Sequence, residues 1–103
     1  MANPIGFQKD EQGYWIIKDP NASKDYTIDY SKWLIDGDVI TGVVWNVPAP
    51  LVSENEGISG GNTKVFVQLS GGEYGGSYPI TAHITTAEGR SDDFTFRLIM
   101  RET

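Results

Sequence analysis

Cysteine is absent from the 103 residues, histidine occurs once, and basic side chains are outnumbered, 8 against 14 acidic. Without thiols the chain has neither disulfides nor thiolate metal sites. A formal net charge of −6 opposes binding to phosphate backbones, which need a concentrated positive face, so nucleic acid is not an expected partner. No apolar run reaches membrane-spanning length, and the start, Met1-Ala2-Asn3-Pro4-Ile5-Gly6-Phe7, has neither a basic opening nor the apolar stretch of a secretory signal. The expectation is a protein folded in a cytoplasm, with no membrane partner and no cofactor. Helical periodicity is scarce too, which leaves strands to build the core.

Strand signals are plentiful. Val65, Val67 and Leu69 alternate with Lys64, Phe66 and Gln68, the spacing of a half-buried strand, with Phe66 the one awkward residue. After the glycine-rich stretch from Gly71 to Ser77, Ile80, Ala82 and Ile84 alternate with Thr81, His83 and Thr85. Ala87-Glu88-Gly89-Arg90 turns the chain, and Phe94, Phe96, Leu98 and Met100 alternate with Asp93, Thr95, Arg97 and Ile99. These three runs read as a β-meander with one apolar face. A second sheet is the layer available to cover it, giving an all-β, antiparallel two-sheet sandwich. Tyr78 stands where immunoglobulin-like and fibronectin-type sandwiches carry a tyrosine whose hydroxyl bonds back to the backbone; an ordinary strand tyrosine is the other reading.

The rest of the chain divides readily. Residues 1–13 show no period and read as an N-terminal arm belonging to no sheet, ahead of one domain over 14–103. Tyr14-Trp15-Ile16-Ile17-Lys18 is either a first strand or a segment that docks on a neighbour. Tyr26, Ile28 and Tyr30 face the core, Ser31 caps a short turn carrying Trp33 and Leu34, and Asp36-Gly37-Asp38 turns back. Val39, Thr41, Val43, Trp45 and Val47 face inward from the next strand, with Trp45 the central core residue. Pro48 to Asn62 is a loop or a ragged edge strand. The expected core is Ile28, Trp45, Val67, Leu69, Ile80, Ala82, Ile84, Phe94, Phe96 and Leu98, with Lys64, Gln68, Thr81, His83, Thr85 and Arg97 outside it.

Catalytic chemistry finds little support. His83 sits mid-strand among threonines, with no carboxylate or nucleophile placed beside it by sequence spacing. Asp36-Gly37-Asp38 and Asp92-Asp93 lie at turns but lack the ligand spacing of a calcium loop. Gly71-Gly72 and Gly75-Gly76 are followed by neither Lys-Ser/Thr nor a helix, so they are turns rather than a phosphate cradle. No catalytic, cofactor or metal residues are assigned, and the chain is expected not to be an enzyme.

The order Lys18-Asp19-Pro20, Asp25-Tyr26, Ile28-Asp29-Tyr30-Ser31, Trp33-Leu34, Asp36-Gly37-Asp38, Ile40, Trp45, Leu69-Ser70-Gly71-Gly72, Gly75, Tyr78, Ile84-Thr85-Thr86, Gly89-Arg90 and Asp93 resembles the phage fiber-tail adaptor family. The resemblance covers roughly residues 18 to 101, although Tyr30 stands where a Trp is expected and Pro48 to Asn62 follows no familiar pattern. It implies an immunoglobulin-like sandwich and a structural virion protein, assembled in the host cytoplasm, that joins the phage tail or its connector to a tail fibre. Copies of the chain around the tail axis are a further implied partner. The resemblance names no binding residues. Physical argument points to the arm and loop tips, with Phe7, Tyr14, Trp15, Ile17, Glu73, Tyr74, Glu88 and Arg90 as interface candidates. The competing reading is an immunoglobulin-like module, for protein or carbohydrate, cut from a larger surface protein; virion composition and a glycan-binding screen discriminate the two.

Overall fold

A computed structural model describes residues 3–4 along the backbone and residues 7–11 and 13–101 in full. Met1, Ala2, Ile5, Gly6 and Gln12 of the expected arm, with Glu102 and Thr103, lie outside these. Among the described residues the strands are β1 (Asn3–Pro4), β2 (Gln8–Asp10), β3 (Gly13–Lys18), β4 (Lys24–Asp29), β5 (Ile40–Asn46), β6 (Val52–Ser59), β7 (Lys64–Ser70), β8 (Ser77–Thr86) and β9 (Ser91–Met100). They make a four-stranded sheet in the order β1-β4-β7-β6 and a five-stranded sheet in the order β2-β3-β9-β8-β5. No helix forms among the described residues beyond one isolated turn.

Period-2 alternation places the core. Tyr26, Ile28, Val65, Val67 and Leu69 from the first sheet meet Ile80, Ala82, Ile84, Phe96, Leu98 and Met100 from the second in one buried cluster. The opposite faces of the same strands carry Thr81, His83, Thr85, Lys64 and Gln68, none of them buried. Phe66 lies on the solvent side of the first sheet. Its ring covers Gly57 of β6, where an added Cβ would come within 3.1 Å of the ring carbons. A cross-strand aromatic thereby shields the backbone that a glycine leaves bare.

The architecture departs from the sequence reading in several places. β8 and β9 form a hairpin, but β7 pairs with β4 and β6, so the three runs are not a meander. Alternation marks which face is apolar; the glycine-rich 71–76 connection carries the chain from one sheet to the other. The pairing is not wholly antiparallel either, since β3 runs parallel to β9, Tyr14 beside Phe96 through Lys18 beside Met100. Residues 14–18 are therefore a strand. The arm is not free of the sheets: β1 pairs with β4 and β2 with β3.

In β5 the register slips between Ile40 and Gly42. This bulge reverses parity, so Ile40 is buried and Thr41 exposed, while Val43, Trp45 and Val47 still face the core. Trp45 and Phe94 are half-buried against the core rather than at its centre, a consequence for Trp45 of its place on the outermost strand. The Pro48–Asn62 stretch resolves as the edge strand β6, with its own bulge between Ser53 and Asn55. After β4 a single helical turn forms, the Leu34 amide donating to the Tyr30 carbonyl at 3.0 Å. Asp29, rather than Ser31, supplies the side-chain acceptor there, taking the Ser31 amide at 2.8 Å.

Candidate interaction surface

The interface candidates fall into two groups at opposite ends of the β8–β9 hairpin. The first starts from the β2–β3 ribbon. Arg97 of β9 donates twice from Nη2 to the Asp10 carboxylate, at 2.7 and 2.8 Å, and pins the ribbon to the sheet. Phe7 turns inward, its ring edge-on to Phe96 at 4.6 Å and to Tyr26 at 6.1 Å. Tyr14 leans on Phe94 at 5.1 Å and carries the Lys9 ammonium over its ring. Trp15 and Ile17 have the other parity. They share rows with Arg97 and Ile99 on the outer face of the five-stranded sheet, and both are half-buried.

Beside those rows, an open groove of about 550 Å³ is lined by Tyr74, Gly75, Gly76, Ser77, Arg97, Ile99, Met100 and Arg101. Its rim is the glycine-rich 71–76 loop, and for all its glycines the loop is tied down. The Gly75 amide donates to the Met100 carbonyl at 3.0 Å, the Met100 amide to Gly76 at 2.9 Å, and the Gly76 amide to Glu73 at 2.9 Å. The Tyr78 hydroxyl accepts the Glu73 amide at 3.2 Å, the backbone bond looked for from that tyrosine. Gly76 makes room for it, because a Cβ there would stand 2.7 Å from the same hydroxyl. From this braced loop Tyr74 projects into solvent, 71% exposed, with Glu73 exposed next to it.

Lys18 closes the loop from behind. Its side chain is fully buried, and Nζ donates to the carbonyls of Asp19 at 3.0 Å and Gly71 at 2.8 Å. Burial lowers its pKa, and the neighbouring Asp19 charge only partly opposes that. In sequence Lys18 looked like the polar end of an apolar strand; nothing local reveals that its partner is a carbonyl more than fifty residues away.

At the other end Glu88 is exposed on the hairpin turn, while Arg90 is committed. Its guanidinium sits 4.3 Å from the Trp33 ring centroid, and Trp33 in turn packs edge-on to Tyr30 at 5.7 Å. Asp38, buried beneath, accepts the Val39 amide at 2.9 Å and the Glu88 amide at 3.1 Å. Burial works to raise the Asp38 pKa, but hydrogen bonds from Thr86, Glu88 and Val39 and the Arg90 charge outweigh it and hold the carboxyl below its usual range. The Asp36-Gly37-Asp38 turn thus spends its second carboxylate on the hairpin rather than offering it to an ion.

His83 has a neighbour that linear spacing hid. The β8–β9 register sets it directly across from Asp93, and its Nδ1 contacts Asp93 Oδ1 on the outer face, with both side chains exposed. The turn at 87–89, with the hairpin register centred on Glu88, is the signal that could have found this pair. The row around it holds threonines and Val44, with no nucleophile–base arrangement. Among the described residues no group of three or more His, Asp or Glu could hold a metal ion, and no helix is long and apolar enough to cross a membrane.

The surface is therefore one of aromatic, apolar and arginine side chains on a braced frame. No curated protein matches the chain. A family model described as Podophage GP4 fiber-tail adaptor protein gp77 matches residues 18–99, from the buried Lys18 to the last turns of β9. The chain belongs to this family of podophage fiber-tail adaptor proteins.

Proposed function

We propose that this chain is a non-enzymatic structural protein of a phage tail that joins the tail or its connector to tail fibres, using the surfaces at the two ends of the β8–β9 hairpin. The single observation carrying the reading is the family match over residues 18–99. The surface chemistry is consistent with it. Trp15, Ile17 and Tyr74 present aromatic and apolar area beside Arg97 and Arg101, and a rigid pedestal lowers the ordering cost of binding. Glu73 and Glu88 supply rim charge at the two ends, Arg90 holds the second end in shape, and Phe7 and Tyr14 support the first from beneath. We take the sandwich to be immunoglobulin-like, on the strength of the Tyr78 bond, and place the protein in the virion after assembly in the host cytoplasm, with further copies of itself around the tail axis.

Mass spectrometry of purified particles tests the reading, since the protein must be present in them. In a particle-incorporation assay, Tyr74→Ala should lower incorporation while leaving the melting temperature unchanged, because the ring is 71% exposed and braces nothing. Absence of the wild-type chain from particles, together with a hit in a glycan-binding screen, would instead favour the surface-module reading.

A further inference from the structure

Each sheet has two edges, and three of the four are defended against pairing with another chain. β1 is two residues long and contains Pro4. β2 is three residues long and carries Lys9 and Asp10. β6 is longer, but it is bulged and has Glu54, Asn55 and Glu56 exposed. β5 differs. Among the described residues its only strand neighbour is β8, so alternate amides and carbonyls along its outer side have no ladder partner there. From Ile40 to Val47 it contains no charged residue and no proline, and Val44 is 68% exposed. Its bulge lies at one end, where the Ile40 amide is already taken by the Asn62 carbonyl at 2.9 Å. The stretch from Gly42 to Asn46 is left open.

Charge decides what fits there. β6 borders β5 across the gap between the sheets. Glu56 is paired in register with the core residue Val67, so it belongs to the side of β6 that faces the other sheet, and it is exposed at the open border. Two copies joined β5 to β5 would bring their β6 borders together, Glu56 of one against that of the other. An incoming lysine or arginine meets the opposite situation. We propose that β5 is a strand-addition site, at which an extended, β-branched segment of a partner protein, carrying basic side chains toward Glu56, pairs along Gly42–Asn46. The proposal deepens the adaptor reading and rests on it for the partner's place in the tail.

The test uses the full-length chain and two synthetic peptides, Thr-Val-Lys-Val-Lys-Val-Thr and its counterpart with Glu for Lys. Hydrogen exchange should slow at alternate amides between residues 42 and 46 with the lysine peptide alone. Apparent affinity should fall about tenfold or more in Val44→Lys and in Glu56→Lys, while Val44→Thr should bind as wild type. Protection elsewhere, no protection, or an equal response to both peptides overturns the site. A dimer in sedimentation that Val44→Lys dissolves assigns the edge to a second copy and overturns the partner strand. Wild-type chain in particles with Val44→Lys incorporated equally well overturns the site and leaves the adaptor reading standing. Wild-type chain absent from particles ends that reading, and the peptide result then decides the edge alone.

Discussion

Tyr26 and Tyr30 bury hydroxyls that bond to no described group, although their rings are central to the core. A buried hydroxyl without a partner costs free energy that the ring alone does not. Tyr26→Phe should accordingly leave stability unchanged or raise it by about 1 kcal/mol in urea unfolding at neutral pH. A loss of several kcal/mol would mean that the hydroxyl is bonded after all. His83 is the converse case, a residue whose partner is visible but whose removal should matter little. Exposed pairs contribute at most about 1 kcal/mol, so His83→Ala should shift the melt slightly and leave particle assembly intact. Both tyrosines could be placed from alternation alone, whereas the Asp93 partner required a register that only the folded hairpin supplies.

Strand by strand, periodicity located β4, β7, β8 and β9 because each has one wet and one dry face, the condition under which a period of two is informative. It failed where that condition fails. β6 has no buried residue and so no dry face to declare itself, and the bulge in β5 resets parity after Ile40. Sheet membership was not legible either, since a glycine-rich connection such as 71–76 serves a hairpin or a crossing equally well. Of the interface candidates chosen by type, Tyr74 is exposed and Trp15 half-buried, but sequence could not see that Phe7 and Arg90 are occupied within the chain. The loop offers a sharp test of its bracing. Gly76→Ala forces its methyl against the Tyr78 ring and hydroxyl and should cost about 1–3 kcal/mol, with faster amide exchange at Glu73 as the diagnostic readout. The arm can be tested likewise. Removing residues 1–13 strips β2, the Asp10 ion pair and Phe7 from the fold and should lower the melting temperature, with Phe7→Ala alone costing about 1–3 kcal/mol because its ring is half-buried.

The molecule as a whole should have a stability plateau bounded on both sides by titrating groups tied into the fold. Asp29 is held below its usual carboxylate range chiefly by the Ser31 amide, and Asp38 by its hydrogen bonds despite burial. Depressed carboxylates stabilise above their unfolded pKa, and that contribution is lost as pH falls below about 4 through the folded values. At the alkaline side two effects oppose. Lys18 is lowered by burial, so between its folded pKa and the ordinary 10.5 the unfolded chain holds more protons and stability climbs with pH. Burial raises Tyr26 and Tyr30 well above the ordinary 10.0, so beyond that pH the unfolded chain loses protons that the folded one keeps, and stability falls. Two tyrosines against one lysine predict net alkaline unfolding above about pH 10, the ordinary phenol pKa, measurable by circular dichroism. The loss should be smaller in Tyr26→Phe.

The parallel pairing of β3 with β9 bears on load. Tension that enters on the N-terminal side of β3 and leaves on the C-terminal side of β9 pulls the two strands lengthwise in opposite directions. The ladder from Tyr14–Phe96 to Lys18–Met100, extended by the Arg101 amide on the Lys18 carbonyl at 3.0 Å, is then sheared as a unit rather than unzipped bond by bond. Many hydrogen bonds must give way together, which raises the barrier to forced unfolding without adding to equilibrium stability. In the proposed role, between a tail and a fibre that tugs on it, the mechanical strength would reside in those two strands.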